Sequence, residues 1–340
     1  MSVSKYFHAK NAILSEGITY LARSQELFWV DVFQGEIYRV TTIANPNENY
    51  KVYSISSLSY KNPAEYPYDP QSAERVGCVF PIEDSDGNAV KTVLFGGRYG
   101  IGKLDTASGK WEYIYLFRDS KFKKSWARLR TNDGAVSPNG REIYIGLMTD
   151  FSFGGPDTKK DPEGCVLRVN LQRKECQMVL DNVHIPNAIN WNPDSSKIYI
   201  TDSTNCIIWE APFLNGAPAI DKKRVFYSTK NDSNKDYPDA QPDGSFVDPR
   251  DGHLYTAVWA AYKIQEINPC GELVDEYKFP TPRISSCCLG PDGDVYATSA
   301  IEGNFDTADG SEVDGGSIYR LSILKLRRNY VTSSIISPVY

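Results

Sequence analysis

The 340-residue sequence has no apolar run that reaches the ~18 residues a membrane-crossing helix needs. It also lacks any long amphipathic helical pattern, which argues against an α/β fold. Histidine is scarce, with only His8, His184 and His253. The seven cysteines, at 78, 165, 176, 206, 270, 287 and 288, are odd in number and carry no CxxC spacing. That excludes a zinc site of the usual type and a disulfide framework, and reads as small buried side chains in a reducing compartment. Cys287 and Cys288 are adjacent and are expected as two core thiols rather than a vicinal disulfide. No GxSxG elbow, HExxH, P-loop or dinucleotide fingerprint is present. The glycine-rich stretch from Gly96 to Gly102 precedes no helical pattern and reads as a hairpin turn. No basic stripe stands out and the net charge is −6, so nucleic acid is not an expected partner. The first ten residues lack an apolar signal region, so the expected location is cytoplasmic, with no membrane partner.

What the sequence does have is repetition. An acidic or amide residue and a small residue open an apolar stretch; a turn and a strand rich in Tyr, Val, Ile and Trp follow. Glu16-Gly17 leads to Leu27–Asp31, Asp133-Gly134 to Ile143–Ile145, Asn187-Ala188 to Ile198–Asp202, and Asp243-Gly244 to Leu254–Val258. A third strand alternating apolar and polar residues recurs after each, as at Glu36–Val40, Gly164–Val169 and Ile318–Leu321. Turn residues at Asp86-Gly87, Pro138-Asn139-Gly140, Asp251-Gly252 and Pro291-Asp292-Gly293 separate the strands. A repeat of roughly 40–55 residues with several strands per unit predicts an all-β protein, a β-propeller with four-stranded antiparallel blades around a central channel. The count is six blades in one domain over 1–340, near 14–58, 75–117, 131–181, 185–229, 241–280 and 283–324, with terminal strands contributing. Radial repetition also explains how the chain exceeds the roughly 250–300 residues at which a single core stops growing.

In a propeller the first strand of each blade lines the axis, so the repeat heads converge. In phase, the heads are Glu16, Asp133, Asn187 and Asp243, with Asn132 one residue earlier. Carboxylates and an amide without histidine or cysteine suit a hard divalent cation bound through oxygen. Glu16, Asn187 and Asp243 together carry −2, which balances such an ion. Ca²⁺ is the expected ion, with Zn²⁺, Mg²⁺ and Mn²⁺ as alternatives. The competing reading is local: each head residue caps its own turn through a bond to backbone. Three polar stretches interrupt the rhythm, Tyr60 to Glu74, Phe151 to Glu163 and Ser228 to Gln241. Phe151, Phe153 and the Gly154-Gly155 pair are expected to form a mobile lid over the channel, with Tyr60 to Tyr68 facing it.

Taken in order, these motifs resemble the regucalcin/gluconolactonase family of six-bladed propellers, over nearly the whole chain. The carriers are Glu16-Gly17 before Leu27–Asp31; Arg130 to Gly134 with Pro138–Arg141; Pro186-Asn187 with Trp191, Pro193 and Tyr199–Asp202; Pro242–Gly244 with Val258-Trp259; and Pro282-Arg283 with Ser286-Cys287. The resemblance implies a divalent metal held by Glu16, Asn187 and Asp243, and substrate contacts from Arg130 and Asn132. Repeat phase selects Asp133 and the family pattern selects Asn132; the family is followed, because a bulge shifts phase by one. The chain departs from the family where some members place a sugar-binding glutamate. Here Thr149-Asp150-Phe151 and a longer insertion stand instead, and Phe151 is the expected substrate contact. The implied activity is a metal-dependent hydrolase opening a sugar lactone to the aldonic acid, with Asp243 as general base, in a monomer or weak dimer. The alternative is a propeller that binds metal or a protein partner without catalysis.

Overall fold

The computed structural model describes residues 2–68, 73–303, 305 and 314–323. The expected loop Tyr60 to Glu74 and the last blade therefore lie partly outside the described residues. Within them the strands form six antiparallel sheets, each with four strands in the main ladder. In chain order the innermost strands are Ser15–Leu21, Val76–Ile82, Leu129–Val136, Pro186–Trp191, Gln241–Val247 and Ile284–Leu289. Each packs beside the innermost strand of the next sheet, and the last packs against the first, which closes the ring. The expected six-bladed propeller is the observed fold. No α-helix occurs among the described residues, only single 3₁₀ turns, and no helix there is long and apolar enough to cross a membrane.

The second strand of each blade is buried on both faces, as Glu26–Asp31 and Ile143–Thr149 show, and these strands read as the near-continuous apolar runs such burial demands. Core clusters fill the space between neighbouring blades: Phe28, Val30 and Ile37 pack with Val79, Val93 and Phe95 of the next sheet. All seven cysteines are free thiols, Cys287 and Cys288 included.

Two features position the site. The N-terminal strand Ser2–Phe7 pairs with Ile318–Ser322 and is the outermost strand of the sixth blade. Phe7 is 3% exposed, and its ring meets Trp29 of the first blade edge-on at 5.2 Å, so this strand joins the sixth blade to the first. The second feature is a register shift near the head of every innermost strand. In the third, fourth and fifth blades the two residues opposite a single partner residue are Asn132-Asp133, Asn187-Ala188 and Asp243-Gly244. A bulge adds a residue and re-aims the side chain at that point. The structurally equivalent positions are thus Asn132, Asn187 and Asp243, and repeat phase misaligned Asp133 by one residue for this reason.

Candidate active site at the channel mouth

The bulged head residues Asn132, Asn187 and Asp243 meet Glu16 and Arg130, which lie just before the bulges of their own strands, in the lining of a cavity of about 380 Å³. Phe151 lines it as well. Asp133 is not among its lining residues; its Oδ1 accepts the Gly134 N–H at 2.7 Å, the local role foreseen for a head residue.

Glu16 and Asp243 are both buried. Burial pushes the Glu16 carboxyl well above its ordinary range, and the charges of Asp243 and Asp133 push it further. Asp243 is likewise raised, first by burial and against a hydrogen bond from Asn187, with Asp133 adding to the rise. Burial alone holds Asp133 up at about 6. Among the described residues none of these carboxylates forms an ion pair; Arg130 attracts Glu16 and Asp243 at longer range. Asn187 donates Nδ2 to Asp243 Oδ1 and to Ser203 Oγ at 3.1 Å, while its Oδ1 accepts the Ala188 N–H at 3.0 Å. Ser203 Oγ in turn donates to the Pro242 carbonyl at 2.7 Å, tying the fourth blade head to the fifth.

Could these residues hold a divalent cation? Among the described residues no three His, Cys, Asp or Glu side chains are placed to share one ion, so a set built here needs a neutral third ligand. Two buried, mutually repelling carboxylates with an amide between neighbouring heads supply that set. Uncompensated buried charge is costly, and a cation removes the cost. The amide oxygen becomes available by rotation about the broad terminal torsion of asparagine. The donor set fits a hard cation.

Arg130 is 2% exposed, and burial pulls its guanidinium down to about 10 against the attraction of Asp150. Its Nη1 donates to the Thr131 carbonyl at 2.7 Å and to Asn132 Oδ1 at 3.1 Å. Asn132 Nδ2 donates to the Pro186 carbonyl at 3.1 Å. Both side chains are thereby fixed before any ligand arrives.

The expected lid is a hydrogen-bonded turn. Asp150 caps the 3₁₀ turn Phe151–Phe153, which Gly154 ends in the left-handed region at φ 92°. Arg98 Nη2 donates to Ser152 Oγ at 3.3 Å, and the guanidiniums of Arg98 and Arg128 cover the Phe153 ring. Phe153 points away, 40% exposed, and only Phe151 of the pair lines the cavity. Tyr60 and Tyr66 pack on Trp111, and Tyr68 stacks on Tyr99 at 3.7 Å. They do not line the cavity. The correction has a physical cause: Glu74, buried beside them, accepts the hydroxyls of Tyr66 and Tyr113 and draws this loop onto the second blade. The structure adds Trp259, Arg283, Phe305 and Ser203 to the lining. Trp259 and Arg283 stood within the motifs Val258-Trp259 and Pro282-Arg283 that carry the resemblance, but no site role was expected of them.

Residues 14–301 match the family model described as the SMP-30/Gluconolactonase/LRE-like region. The chain belongs to this family. It is 39% identical to an uncharacterised protein of Saccharomyces cerevisiae over 93% of this chain and 90% of that one. It is 26% identical to the L-arabinolactonase of Azospirillum brasilense, over 90% of this chain and 87% of the relative. Among solved structures, the calcium-binding protein regucalcin from Agrobacterium tumefaciens superposes with a TM-score of 0.72 at 20% identity, covering 94% of this chain and 92% of that one. At that identity the superposition speaks for the fold.

Proposed function

We propose that the chain is a divalent-cation-dependent lactonase that opens a sugar lactone to the aldonic acid. The observation that carries this reading is the convergence of Glu16, Asn187 and Asp243 with Arg130 and Asn132 in one cavity. Family membership and the lactonase name of a relative support it. Glu16, Asn187 and Asp243 would hold the ion, with Ca²⁺ the first expectation. When bound, a divalent cation supplies a Lewis acid for the lactone carbonyl.

The chain's own residues account for the remaining work. Arg130 and Asn132, fixed by each other and by backbone carbonyls, orient the lactone. Asp243 accepts a proton from the attacking water and returns it to the ring oxygen as the C–O bond breaks. The product leaves as a carboxylate and a proton. Phe151 on the wall, with the Asp150 carboxylate buried beneath Arg130, leaves fewer partners for polyol hydroxyls. Pentono- or deoxyhexono-lactones are therefore favoured over gluconolactone, with broad tolerance, because weakly polar pockets discriminate weakly. A pH-stat comparison of kcat/KM for gluconolactone against arabinono-, xylono- and rhamnonolactone in one metal tests this preference. A tenfold or greater advantage for gluconolactone overturns it.

The rival reading is a cation-binding propeller without catalysis, in keeping with the calcium-binding description of the Agrobacterium structure. Silence on every lactone in each of several added metals favours the rival.

A further inference from the structure

Beside its polar residues, the cavity has an apolar wall formed by Phe151, Trp259 and Phe305, with Leu14, Pro156 and Ile185 also lining it. The rings form a continuous set: Phe151 and Phe305 lie 6.0 Å apart, Trp259 and Phe305 6.3 Å. Phe33 sits behind, 5.5 Å from Phe151 and 5.0 Å from Phe305. Each ring is also covered by a guanidinium, Arg130 over Phe151 at 5.5 Å and Arg283 over both Trp259 and Phe305 at 5.4 Å. Arg75 covers Phe33 at 4.8 Å and donates Nη1 to the Phe33 carbonyl at 3.0 Å. Arg283 Nη1 donates to the carbonyls of Ile301 at 2.6 Å and Gly303 at 3.1 Å, the backbone that leads to Phe305. Stacking of this kind holds the rings in place, so the wall stands ready-made.

Such a wall is poorly matched to a fully hydroxylated substrate. A hydroxyl laid against these rings loses water and gains a partner only where it reaches Arg130 or Arg283, whereas a methylene laid there gains about 0.8 kcal/mol. We infer that the site takes lactones whose ring carries an apolar substituent, an alkyl chain or an aryl group, which lies against Phe151, Trp259 and Phe305 while the ester meets the polar residues. The inference rests on the lactonase reading and extends its substrate class beyond sugars. The reaction is the same: water adds to the carbonyl carbon, the ring C–O bond breaks, and a hydroxy-carboxylate and a proton are released.

The test is a homologous series with the full chain in one added divalent cation, from γ-butyrolactone through γ-valero- and γ-hexano- to γ-octanolactone. The expected result is a rise in kcat/KM of about three- to fourfold per methylene until the wall is covered. Trp259→Ala lowers the octano-to-butyro ratio, and Trp259→Leu restores most of it, which separates loss of apolar surface from loss of folding. The 2-alkylcyclopentanones, which have no ester to cleave, are the parallel probe: their binding, followed by tryptophan fluorescence, tightens by the same increment. A series flat in both turnover and binding overturns the inference, even where sugar lactones are hydrolysed. A tail-dependent binding series with no turnover of any lactone upholds the apolar subsite and overturns the hydrolase reading alone.

Discussion

Asp150 Oδ2 lies 3.9 Å from Arg130 Nε and accepts Arg75 Nε at 3.3 Å. The carboxylate is fully buried; its other oxygen accepts the Ser152 N–H at 2.9 Å and the Ser152 hydroxyl. One carboxylate thus lies under the Arg130 guanidinium of the cavity lining, caps the turn that carries Phe151, and ties both to the arginine that grips Phe33. Asp150→Asn preserves shape and removes the charge. The expected cost is about 2 kcal/mol of stability, the usual scale for a hydrogen bond to a charged group. A higher KM for lactones, larger in proportion than the fall in kcat, is also expected. Denaturant unfolding with steady-state kinetics checks both; unchanged KM with lost stability reduces Asp150 to a purely structural role.

The same contact predicts a pH dependence. Burial by itself raises the Asp150 carboxyl, but the Ser152 hydroxyl, Arg130, the Ser152 N–H and Arg75 outweigh it, and the net shift is downward. A carboxyl whose folded pKa is depressed contributes stability that is present above its unfolded value, ~3.9. That contribution is lost as pH falls through the folded pKa. The difference in unfolding free energy between the wild type and Asp150→Asn is therefore widest above about pH 5 and shrinks below about pH 4. A difference constant from pH 3 to pH 7 contradicts this assignment.

Ring closure gives a prediction about the fold. Phe7, on the strand that completes the sixth blade, packs on Trp29, Tyr38 and Tyr50 of the first. Phe7→Ala is expected to cost about 3–5 kcal/mol, as for other buried phenylalanines. Urea unfolding reads this directly; a loss below about 1 kcal/mol places the seal elsewhere.

Much of this architecture was legible in the sequence, because each blade writes its strands in a local code of alternation and turn residues. Glu16, Asn187 and Asp243 were legible for the same reason: they recur at strand heads. The choice between Asn132 and Asp133 was not legible from phase, since the bulge between Thr131 and Gly134 inserts a residue that periodicity cannot register. Of the wall, only Phe151 was expected. Trp259 ends a second strand, Arg283 precedes a first strand and Phe305 follows the second strand of the sixth blade, so only the packing of the fifth blade against the sixth brings them together. Ser2–Phe7 was expected only as an unspecified terminal contribution, because its partner, Ile318–Ser322, lies far from it in sequence.

The cation account makes a prediction that does not involve turnover. With no ion bound, Glu16, Asp133 and Asp243 repel one another in a buried space. Asp243→Asn is expected to raise the stability of the cation-free protein. It should also abolish the gain that saturating cation gives the wild type, ~2.7 kcal/mol at a hundred times Kd. Thermal unfolding in chelator and in added Ca²⁺ or Mn²⁺ measures both. A variant that keeps the cation-induced gain removes Asp243 from the ligand set.

The most direct measurement is proton release in a pH-stat from a panel of aldonolactones, first in added divalent cation, then in EDTA, then after the cation is restored. The account predicts turnover that EDTA abolishes and the cation recovers, and Asp243→Ala protein that is silent throughout. Hydrolysis that continues undiminished in EDTA, or in the Asp243→Ala protein, contradicts it.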